Sequence, residues 1–239
     1  MPRSQKASNN LLLQSLPQHA YALLAEDLEE LKLGHMQVLS EPQDEIRSLY
    51  FPGNDVLLSL ISTTEDDETA EVAIVGWEGM VGYGSVLGQK YHAHRCLTQM
   101  HGEVTRISVK PFLAACEAEP VIQRLILRYV EFLISQVSQT ALCNRLHGIE
   151  ERLARWLLMS DDRVESDQLP FTHEVLSHML GSRRSTVSLT AATLQSAGLI
   201  EYNRGKISIV DRKGLESAAC TCYPVMAANL KSLVKRTSG

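Results

Sequence analysis

No run of about 18 consecutive apolar residues occurs in the 239-residue sequence, so no membrane span is expected. The polar N-terminus, Met-Pro-Arg-Ser-Gln-Lys-Ala-Ser-Asn-Asn, has no apolar stretch followed by a cleavage site, which argues against a secretion signal. The five cysteines (Cys96, Cys116, Cys143, Cys220 and Cys222) are scattered and odd in number, so they do not read as a disulfide framework. A cytoplasmic location is the expectation. Signatures of catalysis are missing too: there is no Gly-X-Ser-X-Gly elbow, no Walker loop and no His-Glu-X-X-His. Scattered Ser, His and Asp residues make no catalytic set without proximity, and no enzymatic activity is expected.

What is present is a chain with 44% hydrophobic residues, enough to bury a sizeable core in one or two domains. The net charge of −5 conceals an asymmetry. Residues 1–167 hold 14 basic and 24 acidic side chains, whereas residues 168–239 hold 9 and 4. A basic module on an acidic body suits a reader of nucleic acid, because phosphate neutralisation supplies most nonspecific affinity. Ordinary variation in surface charge would give the same excess, so pattern has to decide.

The pattern changes along the chain. In residues 1–35, Leu11, Leu12, Leu16, Tyr21, Leu23, Leu24, Leu28 and Leu31 predict a helical lead-in punctuated by Pro17. Six β-like runs follow, at 36–39, 46–51, 56–62, 70–75, 94–100 and 103–109, which imply an antiparallel sandwich or barrel. The acidic turn Glu65–Glu68 between two of them reads as a solvated hairpin tip, without the distributed ligands of a calcium loop. Residues 119–146 then predict a long helix. Val121, Ile122, Leu125, Ile126, Leu127, Val130, Phe132, Leu133, Ile134 and Val137 occupy more than one of its faces. The β domain would cover one face and an identical helix from a second subunit another, so a homodimer through 119–146 is expected. Residues 149–159 form a further amphipathic helix.

Residues 172–194 carry the strongest signal. Thr172 is a hydroxyl N-cap for one helix, and Gly181 permits the positive φ of an abrupt stop. A second helix opens around Ser182 and Arg183, with Val187 and Leu194 as core positions and Leu189 as packing or an apolar contact. Two arginines followed by Ser185, Thr186 and Ser188 suit a helix whose start enters a DNA major groove. Gly198 stops that helix. Residues 199–210 then read as strand, Asn-Arg-Gly-Lys turn, strand: a wing whose Arg204 and Lys206 are placed to meet phosphates. A further helix begins after Asp211.

With these residues in view, the chain resembles the Crp/Fnr family of bacterial transcription regulators over nearly its full length. The likeness is most specific at 180–188, Leu-Gly-Ser-Arg-Arg-Ser-Thr-Val-Ser, and at 197–209, Ala-Gly-Leu-Ile-Glu-Tyr-Asn-Arg-Gly-Lys-Ile-Ser-Ile. Residues 143–158 look like the family's join between dimer helix and DNA-binding domain. Residues 76–82, Gly-Trp-Glu-Gly-Met-Val-Gly, look like one of its β-roll segments. The resemblance implies an α+β chain: an antiparallel, jelly-roll-like β-roll sensor with its lead-in (1–118), a dimerisation helix and hinge (119–147), and a winged helix-turn-helix (148–239). It implies a homodimer on an inverted-repeat operator in double-stranded DNA, with RNA polymerase as a further candidate partner. Arg184 falls where the family reads a guanine; Arg183 and Thr186 fall at backbone-contacting positions; Thr172 and His173 fall at the phosphate-contacting start of the first helix. Ser188 is a candidate for base or phosphate. Ser185 stands where many members have glutamate, and Leu189 where many have a second arginine, and both departures weaken transfer of the familiar operator. The competing reading is a β-roll sensor that signals through protein contacts.

The family's cyclic-nucleotide cassette uses a Gly-Glu pair and a downstream Arg followed by a hydroxyl residue. Here Gly82 precedes Tyr83 and Arg95 precedes Cys96, so cyclic AMP is not expected, although Gly82 and Arg95 remain the candidate effector residues. The first 95 residues contain no cysteine, which excludes an N-terminal iron–sulfur cluster of the family's type. Cys220 and Cys222 make a Cys-X-Cys pair, a weak metal signal without two more ligands, and read as structural. His92 and His94 alternate and share one side, with solvent exposure as the expectation, as for His101. No metal site is expected, and no cofactor beyond an unidentified small effector.

Overall fold

The computed structural model describes residue 5 and residues 8–66 and 68–237. In chain order these form α1 (Leu11–Gln14), α2 (Gln18–Ala22), β1 (Glu29–Leu33), β2 (Val38–Ser40), β3 (Ser48–Pro52), β4 (Leu57–Thr63), β5 (Thr69–Val75), β6 (Arg95–Met100), β7 (Gly102–Ser108), α3 (Val109–Ala118), α4 (Pro120–Leu146), α5 (Ile149–Asp161), α6 (His173–Leu180), α7 (Arg184–Ser196), β8 (Ile200–Asn203), β9 (Lys206–Ile209), α8 (Arg212–Ala218) and α9 (Cys222–Thr237). The six expected strands are all present. The lead-in is not helical throughout: residues 29–33 form β1, which pairs antiparallel with β7 from Glu29↔Arg106 to Leu33↔Gly102. A free edge on β7 outweighs the helical spacing of the local leucines. Asp67 of the acidic turn lies outside the described residues; the turn itself closes through Thr64 N–H to the Glu68 carbonyl, 2.9 Å.

Two antiparallel sheets make the β-roll, in the orders β1-β7-β3 and β2-β6-β4-β5. β4 shows why its sequence is apolar without alternation. Leu58 and Leu60 enter the core between the sheets, among Phe51, Val75, Val104 and Phe112. Leu57 and Ile61 point the other way, with Ile74, Leu97 and Met100, into a second core built from Trp156, Leu157, Val175, Met179 and Val187. Both faces of this sheet are therefore buried, one by the roll and one by the C-terminal helices.

Polar clasps fix that second junction. Arg163, at 3% exposure, pairs with fully buried Glu78 through Nε–Oε1, 2.7 Å. Trp156 Nε1–H donates to Glu71 Oε1 at 2.6 Å, and the Ser59 hydroxyl donates to the other oxygen of the same carboxyl. Burial pushes Glu71 up to about 7 against those two hydrogen bonds and the charges of Arg155 and Arg163. Residues 76–82 thus form a joint: Glu78 holds Arg163, and Gly79 lets Tyr129 of α4 lie against the backbone, where a Cβ would stand 2.5 Å from its ring.

Proline at its first position and a Glu119 cap start α4. Its inner face buries Ile122, Leu125, Ile126, Tyr129 and Leu133, and Gln136 completes the edge of β5 by bonding both the amide and the carbonyl of Ile74, at 2.8 and 3.2 Å. A second flank is covered from within the chain: α9 lays Leu230 and Leu233 into the same core, and Asn229 donates to Ser135 at 2.7 Å. Leu127, Ile134, Leu142 and Leu146 stay exposed along the rest. No helix among the described residues is long and apolar enough to cross a membrane.

Candidate nucleic-acid interface

The helix pair forms where the sequence placed it. Thr172 Oγ1 accepts from Val175 N–H at 3.2 Å and caps α6. Gly181 ends the helix at φ 55°, ψ 47°, a left-handed geometry closed by Ser182 N–H to the Ser177 carbonyl at 3.0 Å. The Arg152 guanidinium reaches across from α5 to the free Leu180 carbonyl at the same end. Val187, Ala191 and Leu194 of α7 are buried against α5 and α6, which sets which face turns outward.

That outward face begins with Arg183 and Arg184. Both are exposed, as is Ser185, while Thr186 and Ser188 are half-buried. Arg183 occupies the N-cap without a capping side-chain bond, so the first amides of α7 and two guanidiniums share one end of the helix. Of the two readings of Leu189, packing or an apolar contact, the structure takes the second. The side chain packs against nothing in the core and stands 71% exposed on the same face as Ser185 and Ser188. Helical phase explains this, since residues one and two turns from Leu189 are also outward while buried Val187 and Ala191 lie two positions to either side. An apolar side chain on that face can meet a thymine methyl.

His173 is committed within the protein. Its Nδ1 and the Ser188 hydroxyl share a hydrogen bond at 2.9 Å, and its ring stacks on Tyr202 with centroids 4.1 Å apart. Burial, with the nearby Arg184 charge, lowers its pKa, and the ring ties α6, α7 and β8 together. The two-residue turn of the wing is held by positive φ at Arg204 (50°) and Gly205 (80°), which projects Arg204 outward. Lys206 Nζ donates to Gln168 at 3.1 Å, and Leu169 adds a short antiparallel bridge to Ile207. Thr172, Arg183, Arg184, Ser185, Thr186, Ser188, Arg204 and Lys206 thus come from one small module. Arg183 also lines a groove of about 620 Å³ against Thr64 and Glu68 at the turn of the β4–β5 hairpin.

The candidate effector residues are not gathered in the same way. Gly82 lines a cavity of about 110 Å³ with Tyr83, Leu87, His92 and His94, whereas Arg95 pairs with Glu41 at 3.3 Å. His92 and His94 are half-buried in this wall, and burial lowers both pKa values. A Cβ on Gly82, at φ 91°, would meet the Ser48 carbonyl at 2.7 Å, so this glycine has a packing reason of its own.

The family model of the Crp-like helix-turn-helix domain matches residues 151–218. No curated protein matches the chain. Among solved structures, FixK2 from Bradyrhizobium japonicum is similar over 81% of this chain and 98% of its own, at 14% identity and a TM-score of 0.70. A putative Crp/Fnr-family transcriptional regulator from Eubacterium rectale is similar over 87% and 96%, at 16% identity and a TM-score of 0.68. The c-di-GMP responsive global regulator CLP of Xanthomonas campestris is similar over 81% and 99%, at 16% identity and a TM-score of 0.67. Residues 151–218 are therefore a Crp-like helix-turn-helix domain, and the chain as a whole has the fold of the Crp/Fnr transcription regulators.

Proposed function

We propose that the protein is a homodimeric, sequence-specific DNA-binding transcription regulator that reads an inverted-repeat operator with α7. The carrying observation is the exposed row Arg183, Arg184 and Ser185 at the start of α7, flanked by the projecting turn of the wing. In this reading Arg184 makes the bidentate contact to a guanine edge, Leu189 meets a thymine methyl, and Arg183, Thr186, Arg204 and Lys206 hold the backbone. The β-roll cavity beside Gly82 is well below the roughly 300 Å³ at which small-molecule sites begin, so a cyclic nucleotide is not part of the proposal.

The test is genome-wide mapping of bound fragments, followed by titration of one recovered operator at fixed salt. Arg184→Ala is expected to lose on the order of 1–3 kcal/mol on the operator while keeping nonspecific binding. Arg183→Ala is expected to weaken all sequences alike and reduce the salt slope by about 1. Recovery of no sequence-specific fragment, with partner proteins retained instead, would favour the protein-contact reading.

A further inference from the structure

Cys220 and Cys222 acquire two partners that the sequence gives no reason to group with them. Cys143 lies in the last turn of α4, and His147 caps that helix four residues on in extended backbone, its N–H bonding the Cys143 carbonyl at 3.0 Å. The link between α8 and α9 brings Cys220 and Cys222 against that helix end. One donor atom from each of the four residues lies within 4.8 Å of every other. Cys143 Sγ is 3.3 Å from Cys220 Sγ, and Cys222 Sγ is 3.5 Å from His147 Nδ1. A tetrahedral zinc with Zn–S bonds of about 2.3 Å sets its sulfurs roughly 3.8 Å apart, so these four atoms already span a single coordination sphere. Iron–sulfur clusters distribute their thiolates over several irons and need a wider frame.

Two observations beyond the cluster point to a ligand of this kind. Arg155 is 3% exposed and makes no ion pair among the described residues. Its Nη1 reaches only the sulfurs of Met159 and Met226, at 3.2 and 3.5 Å, and its buried Nε has no partner. Its charge reaches the Glu71 carboxyl, but that group favours its neutral form, so a guanidinium so placed is served by a further negative charge. Three thiolates and a neutral imidazole around Zn²⁺ carry one net negative charge, and Arg155 acts electrostatically on both Cys143 and Cys220. Gln139, one turn before Cys143, also donates Nε2–H to Cys222 Sγ at 3.1 Å, the outer-shell bond that orients a ligating thiolate.

We infer that Cys143, His147, Cys220 and Cys222 form a mononuclear Zn²⁺ site. Zn²⁺ is held by three thiolates and the lone pair of His147 Nδ1, and each ligand thiol still protonated gives its proton to solvent on binding. Four protein ligands leave no open position, which makes the site structural. It staples the end of α4 to the start of α9 across the His147–Gly148 hinge, where the roll passes into the DNA-binding module.

Full-length protein, purified with reductant and then cleared of loose metal by a weak chelator, should retain one zinc per chain. After a strong chelator removes it, Co²⁺ titration should produce thiolate-to-cobalt charge-transfer bands and tetrahedral d–d bands, both displaced by Zn²⁺. Cys143→Ser and Cys222→Ser should each weaken Co²⁺ binding ten-fold or more, while the double variant Cys96→Ser, Cys116→Ser keeps it. The wild-type titration stands even where a ligand variant fails to fold. Five titratable thiols with no cobalt spectrum would overturn the site. So would a Cys143–Cys220 disulfide formed in the presence of Zn²⁺, or a chromophore containing acid-labile sulfide. None of these readouts involves DNA, so the zinc site and the regulator reading fail independently.

Discussion

Glu71 is a carboxyl at the seam between roll and DNA-binding module, and its protonation is coupled to that seam. Burial raises it from 4.5 to about 7, the hydrogen bonds from Ser59 and Trp156 opposing the rise. The neutral form is thus the one the folded state prefers. The stability this confers is complete below the unfolded value and is lost as pH rises through about 7. The span corresponds to on the order of 3 kcal/mol. Glu71→Gln keeps an acceptor for Trp156 and has no charge to develop. Its thermal midpoint is expected to stay level between about pH 5 and about pH 8, while that of the wild type falls by several degrees. Parallel slopes for the two proteins would show that Glu71 does not titrate there.

At the scale of elements, legibility followed locality. α6, Gly181 and α7 were readable because a threonine cap, a left-handed glycine and a buried row at helical spacing all act within a few residues. Gly181→Ala tests that local code. The nearest atom to an added Cβ is Ala70 Cβ at 3.6 Å, so space is not the obstacle; the φ of 55° is. A loss of about 1–2 kcal/mol by chemical denaturation is expected, with reduced operator affinity as α7 is repositioned. An unchanged midpoint would mean that the turn can adopt another geometry. What was not readable depended on distant partners. β1 looks helical until the β7 edge is in place, and α9 shows no sign in its own residues of lying on α4. Leu189 reads from the sequence as packing or as an apolar contact, and only the phase set by Val187 and Leu194 turns it out. The thiol–imidazole group is the extreme case, with Cys143 and Cys220 separated by 77 residues.

At the scale of the whole molecule, one apolar face of α4 has no internal partner among the described residues. With the roll on one flank of α4 and α9 on another, Leu127 (44% exposed), Ile134 (61%), Leu142 (48%) and Leu146 (64%) remain outward. At 3.6 residues per turn these four fall within about a third of the helix circumference. A second copy laid against this row would bury it and carry two α7 helices to successive half-sites, which one chain alone does not supply. Ile134→Glu isolates this element, because the side chain lies mostly in solvent within the single chain and its replacement should leave the circular dichroism and thermal midpoint close to wild type. On the proposed dimer, sedimentation should then report a monomer for the variant and a dimer for the wild type. Operator affinity should fall by about 10²–10⁴, since each half-site is then bound without the effective concentration that a partner provides. A variant that stays dimeric at the same concentration would move the interface off α4. A variant that becomes monomeric yet binds the operator undiminished would instead remove two-fold recognition from the mechanism, leaving Arg184 and the wing to read a single half-site.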